Sequence, residues 1–414
     1  MTTIELTGRD RRQVEHVDAA VDAASHAYQT IWKHTQAATG QMLLSRLAEL
    51  IEREAHTFAT IHSVDGGMAY EDVKLFDVPQ ACETLRYFAS AQRAMYERST
   101  TLMEGGLLGK SLLGSVQRLC RGMRRCEFPF YLDSLAEGST LIVKSPEFTP
   151  LYGQKLGQLV TEAGFGCERP HSPAAQPLDA AYSVPRQHRT LKRVTLGLGG
   201  KSPSIVFEDA NLENALFWVS AGSSANNGQV YALGSRIYVQ DSIYDKFVQG
   251  LAAHSYQKPA VMGDPLQNGV TKGPIVNKQQ YERILSYMEK GRQEDARTII
   301  GGSGKTQGSS GFVENTIFAD VAEDSTIVKE EVFGPVATVH RFSTEEEVIA
   351  KANDIEYGLS AAVFTENVHR ADRVAAALES GQSGFGRDLG KEALESWLSV
   401  KSVKYWSPNE KANL

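Results

Sequence analysis

The chain has 414 residues, 42% of them hydrophobic and 22% charged, with a formal net charge of −7. That length supports two or more domains with sizeable cores. The composition excludes a disordered chain, and an acidic balance without a basic run argues against a nucleic-acid partner.

The four cysteines, Cys82, Cys120, Cys126 and Cys167, form no CxxC pair and have no histidine at zinc-ligand spacing beside them. No metal site is expected, and a reducing intracellular compartment fits. The N-terminal stretch "MTTIELTGRDRRQVEHV" lacks an apolar h-region, and no apolar run reaches the roughly 18 residues of a membrane span. The expectation is a soluble, cytoplasmic protein without a membrane partner.

Residues 11–96 read as helices. "VDAAVDAASHAYQTIW" and "MLLSRLAELIEREAHTFATIH" repeat apolar residues at i, i+3, i+4 and i+7, which puts Leu43, Leu47, Leu50 and Ile51 on one face. "DGG" at 65–67 punctuates the second helix. Residues 102–138 mix Gly, Leu and Arg without a period, and a hairpin is the only element they offer.

From 139 the pattern sharpens. "STLIVK" reads as a buried strand and "TPLYGQKLGQLVTEAGF" as an amphipathic helix ending at Gly164. Residues 166–190 are Pro-rich and aperiodic, a long loop for a compact domain. Then "RVTLGL" and "SIVF" read as strands and "ANLENALFWVSAGSSA" as a helix opened by Asn211. The polar turn "NNGQVYALGS" leads into the strand "RIYV", and the helix "SIYDKFVQGLAAHSY" follows. A helix at 277–294, the strand "ATVHRF", the helix "STEEEVIAKAND", the strand "SAAVFT" and the helix "ENVHRADRVAAALES" complete the series. Strands alternating with helices predict an α/β fold with a largely parallel sheet. The charge run Glu345–Glu347 reads as a solvated helix start favoured by the N-terminal dipole.

Four stretches, "KSPEFTP" (144–150), "LGGKSP" (198–203), "NNGQVYALGSR" (226–236) and "KEEVFGPV" (329–336), carry more specific information. In this order and at these separations the chain resembles the aldehyde dehydrogenase superfamily. "LKRVT", "YGLSAAVFT" and "SGFGRDLG" agree with the resemblance, which covers nearly the whole chain and is strongest from 190 to 380.

The resemblance implies a truncated Rossmann-like cofactor domain over 1–195 and a second, catalytic-type α/β domain over 196–385. It also implies a C-terminal oligomerisation arm over 386–414. The family reaction is NAD(P)-dependent oxidation of an aldehyde to a carboxylic acid. A cysteine thiolate attacks the carbonyl, donors hold the oxyanion, hydride passes to the nicotinamide, and a glutamate-activated water hydrolyses the thioester.

Carried over residue by residue, that pattern is broken. The nucleophile position is Tyr231, whose phenol, with a reference pKa of about 10, is protonated at neutral pH. In a well-studied hydrolase, loss of the nucleophile costs about a millionfold in turnover. The general-base position, in "GLGGK", is Gly197, which has no side chain. The oxyanion-donor position, in "CEFPF", is Glu127, and an ionised carboxylate only accepts hydrogen bonds.

The cofactor positions are better kept. Lys144 and Glu147 match the pair that bonds the adenosine ribose, and Glu331 and Phe333 the pair at the nicotinamide ribose and ring. The family's "Gly-Ser-Thr-x-x-Gly" pyrophosphate turn, a helix N-terminus facing an anion, has no counterpart in 166–190. That segment is shorter than in the family, as are the stretch before "SGFGRDLG" and the helix after "EFPF". A shortened sheet leaves an unpaired edge and apolar surface.

Bland readings compete with these. Tyr231 is either a new phenolic acid or base, or a seat filled by whatever packs; the second is favoured because the base and donor positions change with it. Cys126 and Cys167 read as small hydrophobes rather than relocated nucleophiles. Lys144 and Glu147 are otherwise a surface ion pair after a strand, and Phe333 otherwise a core residue.

The expected protein is therefore aldehyde dehydrogenase-like, with the family reaction impaired or absent and NAD or NADP as cofactor by resemblance, its binding an open question. Its partners would be a small aldehyde, if active, and further copies or an active relative in a homo- or hetero-oligomer. Two alternatives stand beside it: an active oxidoreductase or esterase with rearranged residues, and a non-catalytic subunit or NAD-binding partner of an active relative.

Overall fold

The computed structural model describes residues 21–96, 99–101, 108–112, 118–121, 141–144, 148–165, 196–197, 199–257, 260–307, 310–381, 384–385 and 399–403. Contacts divide the chain into two compact units. One comprises Met1–Ala59, Lys74–Val194 and Arg387–Leu414, the other Thr60–Val73 and Thr195–Gly386.

The first unit is built on helices. Ala37–Arg53 and Val78–Tyr96 pack against one another, and Pro150–Ala163 packs on the first of them. The apolar stripe is buried as its spacing predicts: Leu43, Leu47, Leu50 and Ile51 are all in the core, with Phe58, Leu85 and Phe88. Burying such side chains is worth about 1.5–3 kcal/mol each. Pro150–Ala163 ends on Gly164 with φ +100°, and the helix Ala55–Gly66, whose residues fall in both units, stops within the "DGG" stretch. Short strands complete the unit. β1 (Ser99–Thr101) and β2 (Leu108–Leu112) are antiparallel neighbours. β3 (Arg118–Arg121) runs parallel to β4 (Leu141–Lys144).

The second unit holds short β5 (Leu196–Gly197) and a six-stranded sheet. The sheet strands are β6 (Pro203–Val206), β7 (Arg236–Gln240), β8 (Arg297–Ile300), β11 (Thr316–Ala319), β12 (Val336–Phe342) and β13 (Ala362–Phe364). Their order is β13-β6-β7-β12-β11-β8; every pairing is parallel except β8 with β11. A separate hairpin joins β9 (Gly304–Gln307) to β10 (Ser310–Val313). Short β14 (Gly384–Phe385) pairs with β5, and β15 (Ser399–Val403), in the first unit, with β2.

Both faces of the sheet are covered, which is why Ile205, Val206 and Phe207, and likewise Ile237, Tyr238 and Val239, are consecutive buried apolar residues rather than alternating with polar ones. Ile237 and Val239 face a cluster with Val219, Phe247 and Leu251, from the helices Leu212–Ser224 and Tyr244–Gln257. Tyr238, one residue out of phase, faces Phe207, Phe342, Val348 and Val374, beneath Glu345–Asn353 and Val368–Ala377.

The helix starts follow from their caps. Asn211, Asn277, Thr344 and Asn367 each accept a backbone N–H three residues on. Glu345–Glu347 fill the first turn after Thr344. The strands between 297 and 319 were not expected from the sequence. Glycines and polar residues interrupt this segment, so no strand in it stands out as a sustained apolar run.

Candidate functional site

Four neighbouring parallel strands, β13, β6, β7 and β12, all begin at the same end of the sheet. The segment entering each is one of the distinctive motifs: "YGLS" before β13, "GGKS" before β6, the polar turn before β7 and "EEVFGP" before β12. Topology therefore gathers residues as far apart in sequence as Ser202 and Ser360, 158 positions, around one turn.

The turn itself is tightly specified. Asn226, Asn227 and Gly228 all have positive φ, at 50°, 56° and 67°. Asparagine tolerates the left-handed region better than most side chains. Gly228 is obligatory for a second reason: a Cβ there would lie 2.0 Å from the carbonyl carbon of Gly334. The buried Asn227 donates from Nδ2 to the carbonyl of Gly273 at 3.1 Å. The buried Gln229 accepts from the Val276 N–H through Oε1 at 3.3 Å. The chain then turns again, with the Leu233 N–H on Val230 O and the Gly234 N–H on Gly222 O, both at 3.1 Å.

Tyr231 lies in this second turn, half-buried, and its carbonyl oxygen is packed against Gly200, where a Cβ would stand 2.0 Å away. Ser360 bridges the neighbouring entries, its Oγ lying 2.8 Å from Ser202 Oγ and 3.3 Å from Ala232 O.

Glu331 meets the "GGKS" segment from the other side. Its Oε1 accepts the Gly200 N–H at 3.0 Å. Burial raises the Glu331 carboxyl above the usual range, against the opposing pull of the Gly200 N–H and Lys201. Burial likewise lowers the Lys201 amine to about 7, with Arg236 adding to the effect and Glu331 and Glu330 opposing it. For both groups, loss of water outweighs their mutual attraction. Phe333 is half-buried with φ +56°, a left-handed conformation in a bulky residue.

The buried Arg236 ties the turn to β6. Its Nε donates to Lys201 O at 2.8 Å, Nη1 to Lys351 O at 3.2 Å and Nη2 to Ala352 O at 2.9 Å. Among the residues that sequence reasoning passed over, Arg236, Lys201, Asn227 and Gln280 matter most to this arrangement. Their polar character gives no sign that all four are buried.

Tyr231, Glu331 and Phe333 thus belong to the second unit, at or beside the motif junction. Gly197 ends β5, and Lys144 ends β4 in the first unit. Glu127, Glu147 and the loop 166–190 lie outside the described residues. No cluster of potential metal ligands occurs among the described residues, and no described helix is long and apolar enough to cross a membrane.

The sequence profile described as the aldehyde dehydrogenase family matches residues 4–119 and 180–383. This chain belongs to the aldehyde dehydrogenase family. It is 34% identical to a putative aldehyde dehydrogenase-like protein of Schizosaccharomyces pombe, over 94% of this chain and 87% of that protein. It is 36% identical to an aldehyde dehydrogenase of Alternaria alternata at the same coverages. Among solved structures it resembles the NAD+ complex of aldehyde dehydrogenase from Bacillus cereus, with TM-score 0.83 and 31% identity over 94% of this chain and 88% of that one. It also resembles PnpE in complex with nicotinamide adenine dinucleotide, with TM-score 0.85 and 29% identity over 96% and 91%. The span aligned with the yeast relative is 441 positions, longer than the whole family member at 414 residues, so the relative carries segments that this chain lacks.

Proposed function

We propose that this family member retains the aldehyde dehydrogenase scaffold and has lost most or all of the family's aldehyde-oxidising activity. The observation that carries the reading is the occupant of the turn. Residue 231 is a tyrosine, and the sequence of the second unit contains no cysteine at all. A phenol at its ordinary pKa of about 10 presents almost no anion at neutral pH, and a thiolate is the soft nucleophile that thiohemiacetal chemistry needs.

The cysteine whose surroundings are described does not substitute. Cys82 is buried in the first unit, its Sγ donates to Ala48 O, and burial pushes its thiol up to about 11. The base position, Gly197, offers no proton acceptor on a side chain, and the oxyanion position, Glu127, offers no donor.

The cofactor side fits better. Family resemblance assigns the adenosine ribose to Lys144 and Glu147 and the nicotinamide ribose and ring to Glu331 and Phe333. The Glu331 carboxylate is an acceptor, held at one oxygen by the Gly200 N–H, and a carboxylate is suited to receive hydroxyl protons from a sugar. When bound, NAD or NADP supplies the hydride acceptor. A kept cofactor side beside an altered nucleophile supports a second reading, a non-catalytic NAD-binding subunit in a homo-oligomer or with an active relative.

Both readings are testable together. NADH formation from a panel of aldehydes should be at least about a thousandfold below that of an active relative, a conservative allowance for nucleophile loss. Restoring Tyr231→Cys with Gly197→Glu should raise it. Ordinary turnover by the native protein would contradict the first reading, and no thermal stabilisation by millimolar NAD would contradict the second.

A further inference from the structure

Phe333 occupies a backbone region disfavoured for L side chains, and such a conformer persists only where its surroundings over-determine it. The surroundings here are the first turn of the helix Lys278–Gln293. Asn277 caps that helix, its Oδ1 accepting the Gln280 N–H at 2.8 Å. The Gln280 side chain is buried, and its single amide nitrogen donates to two successive carbonyls, Val332 O at 3.2 Å and Phe333 O at 3.0 Å. One turn on, Arg283 Nη2 donates to Glu331 O at 3.0 Å. Three consecutive carbonyls, 331 to 333, are therefore held by two side chains of one helix face. Gly334 then packs on Ile284 so closely that a Cβ would stand 2.6 Å from Ile284 Cδ1.

We infer that Gln280 is a positioning residue: its amide fixes the Val332–Phe333 backbone, and through it the aim of Glu331 and Phe333 toward the nicotinamide ribose of a dinucleotide. The inference rests on the cofactor role proposed above for those two residues. The chemistry requires an amide. Methionine has similar length and no N–H, which would remove the donor to both the Val332 and Phe333 carbonyls. Glutamate would set acceptor oxygens against carbonyl oxygens.

The test uses the full chain with Gln280→Met, Gln280→Glu and, as a control on the same helix, Met288→Ala. Met288 is buried in the same hydrophobic cluster as Val332, so it controls for lost packing without a lost amide donor. Hydrogen–deuterium exchange is followed in peptides spanning 331–336, and NADH affinity by fluorescence titration. Both Gln280 variants should speed exchange at 331–336 by roughly tenfold or more, the size expected for losing two hydrogen bonds. They should weaken NADH binding by a similar factor. Met288→Ala should lower the melting temperature without the affinity loss. Unchanged exchange at 331–336 in both Gln280 variants would overturn the inference, as would an affinity loss no larger than in Met288→Ala. If the native protein binds no NADH, the cofactor reading itself fails and the ribose-directed role falls with it. The exchange data then still decide whether Gln280 fixes the backbone.

Discussion

The helices of the first unit and the motif junction of the second use the same residue types to opposite ends. On Ala37–Arg53 the charged side chains sit in water: Arg53 bonds Glu162 at 2.7 Å with both side chains well exposed. Their apolar neighbours do the packing, and small changes are absorbed. At the junction, Arg236, Lys201, Asn227 and Gln280 are buried, and backbone meets backbone with no room for a Cβ at Gly200 or Gly228. The contrast teaches that the junction is specified atom by atom, while the helices are specified only by pattern. The tight packing there lies between backbone segments, with the Tyr231 carbonyl against Gly200 and the Gly334 carbonyl against Gly228.

The sharpest way to break this contrast is at Gly228. Gly228→Ala combines a left-handed φ with a backbone clash and should cost on the order of 3 kcal/mol or more. A thermal melt near that of the native protein would show that the junction yields as readily as a helix face.

A second comparison turns on pH. The buried His340 lies 3.4 Å from Glu323 at Nδ1 and 2.9 Å from Thr338 Oγ1 at Nε2. Burial, with Lys351, Arg236 and Lys201 adding to it, lowers its pKa from 6.5 to about 3. The unfolded state therefore binds the extra proton first. The stability from neutral His340 is full above pH 6.5 and is lost as pH falls from there toward 3. Between pH 7 and 5 the loss should be about 2 kcal/mol, and His340→Asn should flatten the dependence of the melting temperature over that range. Lys201 and Lys272, both lowered to about 7, act in a separate window: their contribution grows from pH 7 toward 10.5.

The smallest effect should come from the helical side. Gly157 lies in the helix Pro150–Ala163, and a Cβ there would meet nothing within 4 Å. Gly157→Ala should stabilise the protein by about 0.5–1 kcal/mol, read as a modest rise in melting temperature.

The same contrast explains what the sequence disclosed. Period-3.6 spacing gave away the buried face of Ala37–Arg53, and Asn211 before an apolar run gave away the start of the helix Leu212–Ser224. The alternation of strands and helices was enough for the α/β class. β8 to β11 were missed because glycines and polar residues interrupt 297–319 and leave no sustained apolar run. At the site, Glu331, Phe333 and the turn stood out through family resemblance, since nothing in their local chemistry marks them. Nothing in the local sequence marks Gln280 or Arg236 as buried. Only the sheet order shows that their segments meet, because long-range convergence leaves no trace in local composition.

The proposed loss of activity rests on Tyr231, a phenol at the position where the family reaction needs a thiolate. Intact-mass spectrometry of the native protein, quenched during incubation with a reactive aldehyde and NAD, tests it most directly. The native chain should keep its mass, and an acyl adduct should form only after Tyr231→Cys. An aldehyde-derived acyl adduct on the native chain would contradict it.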